Sequence, residues 1–248
     1  MSPSHPRPVA LITGAGRRVG AVIARTLHGA GYDLALHYRH SADAAQSLAD
    51  ELEQQRADST TLVHAELAEL DTLPGLVGSV LARFGRLDAL VNNASAFYPT
   101  PVGSATPAQW NELFASNAQA PFFLAQAATP ALRRAGGAIV NLVDIYAERP
   151  LANHPIYCMA KAALLAMTRA LALDLGPQVR VNAVAPGAVM WPSEGKSYDD
   201  KQAMLERTPL KRAGAPEDVA SAVLWLLRDA PFVTGQVIRV DGGRTLSV

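Results

Sequence analysis

A single cysteine, Cys158, stands among 248 residues. It rules out an internal disulfide, and a reducing compartment is the simplest setting for such a chain. Net charge is missing too. The 22 basic residues balance 22 acidic ones, so no overall basic field recruits nucleic acid or an anionic membrane. No apolar run approaches the ~18 residues of a membrane span. The opening MSPSHPRP has no apolar stretch of the kind a secretory signal needs. The expectation is a soluble, cytoplasmic protein with neither a nucleic acid nor a membrane as partner. No internal repeat or low-complexity linker is present. His28, His64 and His154 show no metal-ligand spacing, and nothing beside Cys158 in sequence marks an activated thiol.

What the chain does have is apolar: 49% of residues are hydrophobic and only 18% charged, enough for a sizeable core. Apolar β-type runs alternate with helical patterns from end to end. VALIT precedes an amphipathic stretch from Val19 to Ala30, and DLALHY precedes DAAQSLADELEQQ. LDALVNN leads into a helical segment from about 108 to 134, which Pro121 and Pro130 are expected to interrupt or end. AIVNLVD precedes IYCMAKAALLAMTRALALDLG, and EDVASAVLWLLRD precedes QVIRVDGG. Continuous apolar strands suit a parallel sheet covered on both faces. The pattern predicts one doubly wound, Rossmann-type α/β domain of about seven parallel strands with right-handed crossovers. Residues 190–216 break the rhythm with polar, Pro- and Gly-bearing sequence. They follow the sixth strand, at the edge where open sheets bind ligands, and read as a substrate lid or else a surface insertion.

The first strand runs into a glycine turn, with Gly14, Gly16 and Gly20 one residue wider than the G-x-G-x-x-G pattern. A strand before and a helix after make it a phosphate cradle rather than a plain tight turn. Yet Arg17 and Arg18 stand where such a loop usually keeps something small. At the end of the second strand lies LHYRHSAD, with His37, Tyr38, Arg39, His40 and Ser41 and no acid at the tip. Acids there usually grip the ribose hydroxyls of NAD. A guanidinium with hydrogen-bond donors suits the 2′-phosphate of NADPH instead. Further on, PIYCMAKAAL sets Tyr157 and Lys161 four apart, on one face of a helix. An ammonium near a phenol favours the phenolate, and so should lower its pKa from about 10 toward a usable proton donor.

These elements, with NNAS ending the fourth strand, VNAVAPG at the sixth and Asn117 in FASNAQAPF, resemble the short-chain dehydrogenase/reductase family over residues 8–246. The resemblance implies Tyr157 as proton donor and Lys161 as a pKa-lowering charge and ribose ligand. It implies that Asn117 helps anchor a water relay. It also implies a cofactor lining from Val19, Glu66, Leu67, Asn93, Ala94, Ser95, Pro186 and Gly187, besides the residues above. Three departures from the family pattern point one way. Arg18 replaces the middle glycine of TGxxxGxG. Asp144 replaces the usual serine in IVNLVDIYAERP. The turn after the fourth strand reads NNASAFYPTP. Together they resemble the pteridine reductase branch. There Phe97 would stack on a pterin, Asp144 would bind its N–H groups or feed the proton relay, Ser95 would line the pocket, and Arg18 would bridge cofactor phosphate and pterin. The resemblance implies a homotetramer, with interfaces along the helices near 108–134 and 157–175.

Hence the expected activity is NADPH-dependent reduction of a pterin or folate, with no metal. A carbonyl reductase of the same fold and a non-catalytic NADPH sensor are the alternatives. Asp144 speaks against the first and the Tyr157–Lys161 pair against the second. Trp191 reads equally as facing substrate or packing under the lid. The pterin side chain, and an oxidised against a dihydro substrate, stay open.

Overall fold

The computed structural model describes residues 7–189 and 201–247. Seven strands form one sheet: β1 (Val9–Ile12), β2 (Asp33–Tyr38), β3 (Thr60–His64), β4 (Ala89–Asn92), β5 (Ala138–Leu142), β6 (Arg180–Pro186) and β7 (Val237–Val240). Their order is β3-β2-β1-β4-β5-β6-β7, and every neighbouring pair is parallel. β1, β4 and β5 are buried at every position, which is why they read as unbroken apolar runs rather than alternations. Alternation still divides them between two cores. Ala10, Ile12, Leu34 and Leu36 pack beneath α1 (Arg18–Gly29), α2 (Ala42–Gln55) and α8 (Pro216–Arg228). Val9, Leu11, Ala35 and Leu90 pack under α3 (Leu73–Phe84), α5 (Ala120–Ala135) and α6 (Pro155–Leu175).

The chain winds outward from β1 to β3, then returns to lay β4 on the other side of β1. That reversal opens a crevice at the carboxyl ends of β1 and β4, where open α/β sheets bind ligands. Arg180 braces the far edge. Its guanidinium donates to the carbonyls of Leu226 (2.7 Å), Leu227 (2.9 Å) and Ala230 (3.0 Å), closing the C-terminal end of α8. α6 is long and apolar enough to cross a membrane by length and composition, but over half of that stretch is buried in the protein. It is a core helix.

The helical segment expected from about 108 to 134 is interrupted, though at neither of the two prolines expected to do so. α4 (Pro107–Phe114) opens on a capping box at Thr106 and Gln109, and a π turn over Ala115–Gln119 separates it from α5. Pro121 sits in the first turn of α5, where its missing N–H is harmless. Pro130 lies inside α5 without ending it, on the exposed side of the helix. Of the expected lid, residues 190–200, including Trp191, lie outside the described residues. The remainder holds α7 (Lys201–Glu206) and the turn into α8.

Candidate active site

The sheet's carboxyl edge carries two adjoining cavities, of about 600 and 460 Å³. The larger runs from the glycine turn to the tips of β2 and β3. Gly14, Arg18, Val19, Gly20, His37, Tyr38, Arg39, His40 and Ser41 line it, as do Glu66, Leu67, Asn93, Ala94 and Ser95. Gly16 is not part of the wall. It admits the chain against α2, since a Cβ there would stand 2.9 Å from Ser41 Oγ. Three further wall residues, Arg17, Ala96 and Ser116, were not anticipated as ligands, although Arg17 shows as a second cation in the glycine turn.

Local chemistry holds this cradle open. Thr13 Oγ1, at the end of β1, accepts from the backbone N–H groups of Asn93 (2.9 Å) and Ala94 (3.0 Å). The Asn93 amide donates back to the carbonyls of Thr13 (2.8 Å) and Gly14 (3.1 Å). No side chain caps the first turn of α1, so its backbone N–H groups and positive dipole end are available to a phosphate. Together with a turn whose Gly14 has φ of +63°, these features fit a dinucleotide. Arg18 sits where the family has glycine, and its backbone is left-handed, with φ of 54°. A side chain there costs on the order of 1 kcal/mol. Its side chain lines both cavities.

At the tip of β2, Arg39 pairs with Glu66 over 3.2 Å, both partly exposed. His37 departs from expectation. It is 2% exposed, and both ring nitrogens are engaged by backbone groups of Gly14 and Ala65. It therefore supports the cradle rather than offering a donor to a phosphate.

The smaller cavity holds the chemistry. Phe97, Asp144, Tyr157 and Lys161 line it with Pro186 and Gly187, and Arg18, Val19, Asn93 and Ser95 are shared with the first cavity. Leu142, Val143, Tyr146, Ala188, Val189 and Met204 complete the wall. None of these six was anticipated, though Met204 falls within the expected lid and Tyr146 is two residues past Asp144. The Tyr157 hydroxyl donates to Asp144 Oδ2 over 2.7 Å. Asp144 Oδ1 accepts from the Tyr146 N–H at 2.9 Å and so caps a single 3₁₀ turn. The carboxylate is thus both a loop cap and a site group, one oxygen for each. Lys161 Nζ donates to the Leu142 carbonyl over 2.8 Å, with its charge 5.8 Å from the Tyr157 ring centre.

The register of α6 on the sheet rests on a buried amide ladder. Asn92 Nδ2 donates to Asn141 Oδ1 (2.8 Å), and Asn141 Nδ2 donates to Thr168 Oγ1 (2.9 Å), two turns beyond Lys161. Asn117, fully buried in the π turn, stands behind the wall rather than in it. Its amide donates to the carbonyls of Ala96 and Leu113 (2.9 Å each), and its Oδ1 accepts from Ser95 Oγ at 2.6 Å. Phe97 stacks on His154 (4.7 Å, 10°) and meets Tyr157 edge-on (4.7 Å, 81°).

The electrostatics reverse one expectation. Burial, and then the charge and hydrogen bond of Asp144, push the Tyr157 phenol well above 10. Lys161 is not among the leading influences on it, as its ammonium donates to the Leu142 carbonyl while the carboxylate touches the hydroxyl. Burial also pushes Asp144 above the ordinary carboxylate range, against the Tyr146 N–H, the Tyr157 hydroxyl and the charges of Lys161 and Arg244. Lys161 is lowered by burial to about 8. The group is a neutral phenol hydrogen-bonded to a desolvated carboxyl, which is a proton-holding pair.

A dinucleotide cradle adjoining a buried Tyr–Lys pair defines an oxidoreductase that works with a nicotinamide cofactor. The comparisons agree. A family profile described as enoyl-(acyl carrier protein) reductase, of the short-chain type, matches residues 14–245. The chain is 36% identical to pteridine reductase 1 of Leishmania tarentolae, over all of this chain and 99% of that protein. It is 34% identical to a 3-oxoacyl-[acyl-carrier-protein] reductase of Staphylococcus epidermidis, over 94% of this chain and 97% of that one. The chain belongs to the short-chain dehydrogenase/reductase family.

Proposed function

We propose that the protein is an NADPH-dependent reductase of pterins, converting a dihydropterin or dihydrofolate to its tetrahydro form. The observation that carries this reading is Asp144 in the serine position, 2.7 Å from the Tyr157 hydroxyl. A ketone oxygen gaining negative charge is repelled by a carboxylate. A heterocycle with N–H groups, and a ring nitrogen that must gain a proton, is suited by one. Phe97 supports the reading as an aromatic wall of the same cavity, and Arg18 supports it by lining both cavities.

Bound NADPH supplies the hydride, which goes to the carbon of a C=N bond. Tyr157 and Asp144 hold the proton that goes to the nitrogen, so the bond gains one hydride and one proton. Lys161 places a cation beside them and within reach of a ribose, and Asn117 fixes Ser95 at the mouth of the pair. The choice of NADPH rests on Arg39, His40 and Ser41 at a β2 tip without an acid. Glu66 does not spoil that choice. A partly exposed ion pair is worth about 0–1 kcal/mol, and a phosphate dianion displaces it. The reading includes a closing lid over residues 190–216, whose Met204 lines the smaller cavity, and a cytoplasmic setting. It also includes a homotetramer that covers Trp110, Phe122, Phe123, Met159 and Leu173, all exposed on α4, α5 and α6.

The test is NADPH oxidation with a panel of oxidised and dihydro pterins carrying folate, biopterin and monapterin side chains, beside ketones that include a 3-oxoacyl thioester. Turnover of dihydropterins is expected. Turnover of ketones alone overturns the reading in favour of a carbonyl reductase. Cofactor binding without any turnover overturns it in favour of a sensor.

A further inference from the structure

The glycine turn is held from beneath by a side chain outside the chemistry. The Gly14 N–H donates to His37 Nδ1 over 3.1 Å, and Nε2 on the other side of the ring bonds the Ala65 carbonyl over 3.1 Å. The backbone makes the same connection, since the Ala15 N–H donates to the His37 carbonyl at 2.9 Å. One imidazole therefore ties β1's exit to β3's exit across the end of β2. These are the three segments that border the adenine side of the larger cavity.

The partners dictate the ring's protonation. An amide N–H only donates, so Nδ1 must present a lone pair. A carbonyl only accepts, so Nε2 must carry the hydrogen. A second proton would turn N–H against N–H at Gly14. The turn has little room to yield, because a Cβ on Gly14 would already lie 3.1 Å from Ala94 Cα.

We infer that His37 is a positioning residue for the cofactor: its neutral ring pins the glycine turn, and protonating the ring releases the turn and weakens dinucleotide binding in acid. This rests on the family's nicotinamide cofactor and not on the pterin reading. The charged groups around the ring come from three sides. Arg39 follows it just past the end of β2, His64 and Glu66 stand at the exit of β3, and Arg17 and Arg18 belong to the glycine turn and line the same cavity. Burial holds the imidazole below its ordinary value, with His64 and Arg39 acting in the same direction, against the Ala65 hydrogen bond and Glu66. Because burial lowers the ring in the folded protein, it stays neutral to below about pH 6.5, and dinucleotide binding weakens only as pH falls on through that lowered range.

The test is the dissociation constant of NADPH across pH for the native protein, H37N, H37Q and H37L. The asparagine carboxamide puts a non-titrating acceptor near the Nδ1 position, whereas glutamine reaches toward Nε2. H37N should bind within a few-fold of the native protein at neutral pH. H37Q and H37L should bind about tenfold more weakly, with kcat at saturating NADPH unchanged in each. The native-to-H37N ratio of dissociation constants should rise below pH 6.5, by at most tenfold per pH unit. That ratio also cancels the titration of the 2′-phosphate itself. A ratio flat down to the onset of acid unfolding, or H37L binding like the native protein, overturns the inference. If H37L does not fold, imidazole nitrogen NMR of the native protein decides. A neutral ring with its hydrogen on Nε2 is expected, and a hydrogen on Nδ1 at neutral pH overturns the assignment. Failure of the native protein to bind NADPH or NADH at any pH would instead remove the cofactor reading itself.

Discussion

Replacing Asp144 with serine separates pterin from ketone chemistry, and the structure says what the exchange removes. The serine hydroxyl is short enough to keep the Tyr146 N–H satisfied, so the 3₁₀ turn that Asp144 Oδ1 caps should persist within about 1 kcal/mol. The Tyr157 hydroxyl loses a charged acceptor, a contact worth roughly 1.5–3 kcal/mol. The fold also sheds a carboxylate that burial penalises. The sign follows from linkage. An acid whose pKa is raised on folding binds its proton more tightly in the folded state, so stability falls as pH rises through that range. D144S and D144N should therefore melt at or above the parent's temperature at neutral pH. Activity should move the other way. Dihydropterin reduction should fall by roughly a hundredfold or more, the scale of a lost acid–base group, in both variants. NADPH binding should hold, because Asp144 lines only the smaller cavity. The Tyr157 phenol, no longer raised by a neighbouring carboxylate, should titrate at lower pH, and the basic limb of the rate profile should move with it. NADPH oxidation against pH, run beside thermal melts, measures all of this. A D144S enzyme that reduces dihydropterins at the parent's rate would make Asp144 a loop cap and nothing more. A rate lost only in step with stability would do the same.

Three further perturbations probe separate parts. R39D should weaken NADPH roughly ten- to a hundredfold while NADH changes little, as one charge-assisted phosphate contact is worth about 1.5–3 kcal/mol; equal losses for both cofactors would put the 2′-phosphate elsewhere. F97A should raise the pterin KM several-fold with NADPH binding nearly intact, and a variant that only melts earlier would return Phe97 to a packing role with His154 and Tyr157. R180M strips away the donor that closes two terminal carbonyls of α8 and the Ala230 carbonyl just beyond it, so a stability loss of about 2 kcal/mol is expected in denaturant melts with KM unmoved; an unchanged midpoint would mean water serves those carbonyls as well.

The sheet was legible in sequence because both its faces are covered. Strands such as AIVNL, buried at every position, cannot read as anything half-exposed. Tyr157 and Lys161 were legible because a helix repeats what it places, and a four-residue spacing survives without coordinates. The π turn at 115–119 left no such mark. One extra residue in a turn shifts the face of everything after it but produces no period of its own. Pro130 misleads for a related reason. The rule that proline ends a helix weighs one lost hydrogen bond and a ring clash, and α5, packed along its buried face, runs through an exposed Pro130 all the same.

His37 and Asp144 mark where sequence reading runs out in a different way. Each has a plausible meaning from its neighbours in the chain, the first as a donor beside an arginine, the second as a substitute for serine. What decides is which distant backbone groups reach the side chain. For His37 these are Gly14 and Ala65, 23 and 28 residues away. Both consume the nitrogens a phosphate would need, so a predicted ligand becomes a support. For Asp144 they are a local N–H and a hydroxyl from another element, so the cap uses one oxygen and leaves the other on Tyr157, where the proposed role needs it. Arg18 stands out from either direction. In sequence it is a bulky cation in a glycine slot, and in the structure it keeps a left-handed backbone to stay there. A residue that holds an unfavourable conformation beside two cavities conflicts with local preference, and such conflicts are where function is expected to lie. The same reasoning ranks the site residues. Gly14, Gly16 and Thr13 agree with their surroundings and shape the cradle, whereas Arg18 and Asp144 depart from the family pattern, and the proposed specificity rests on them.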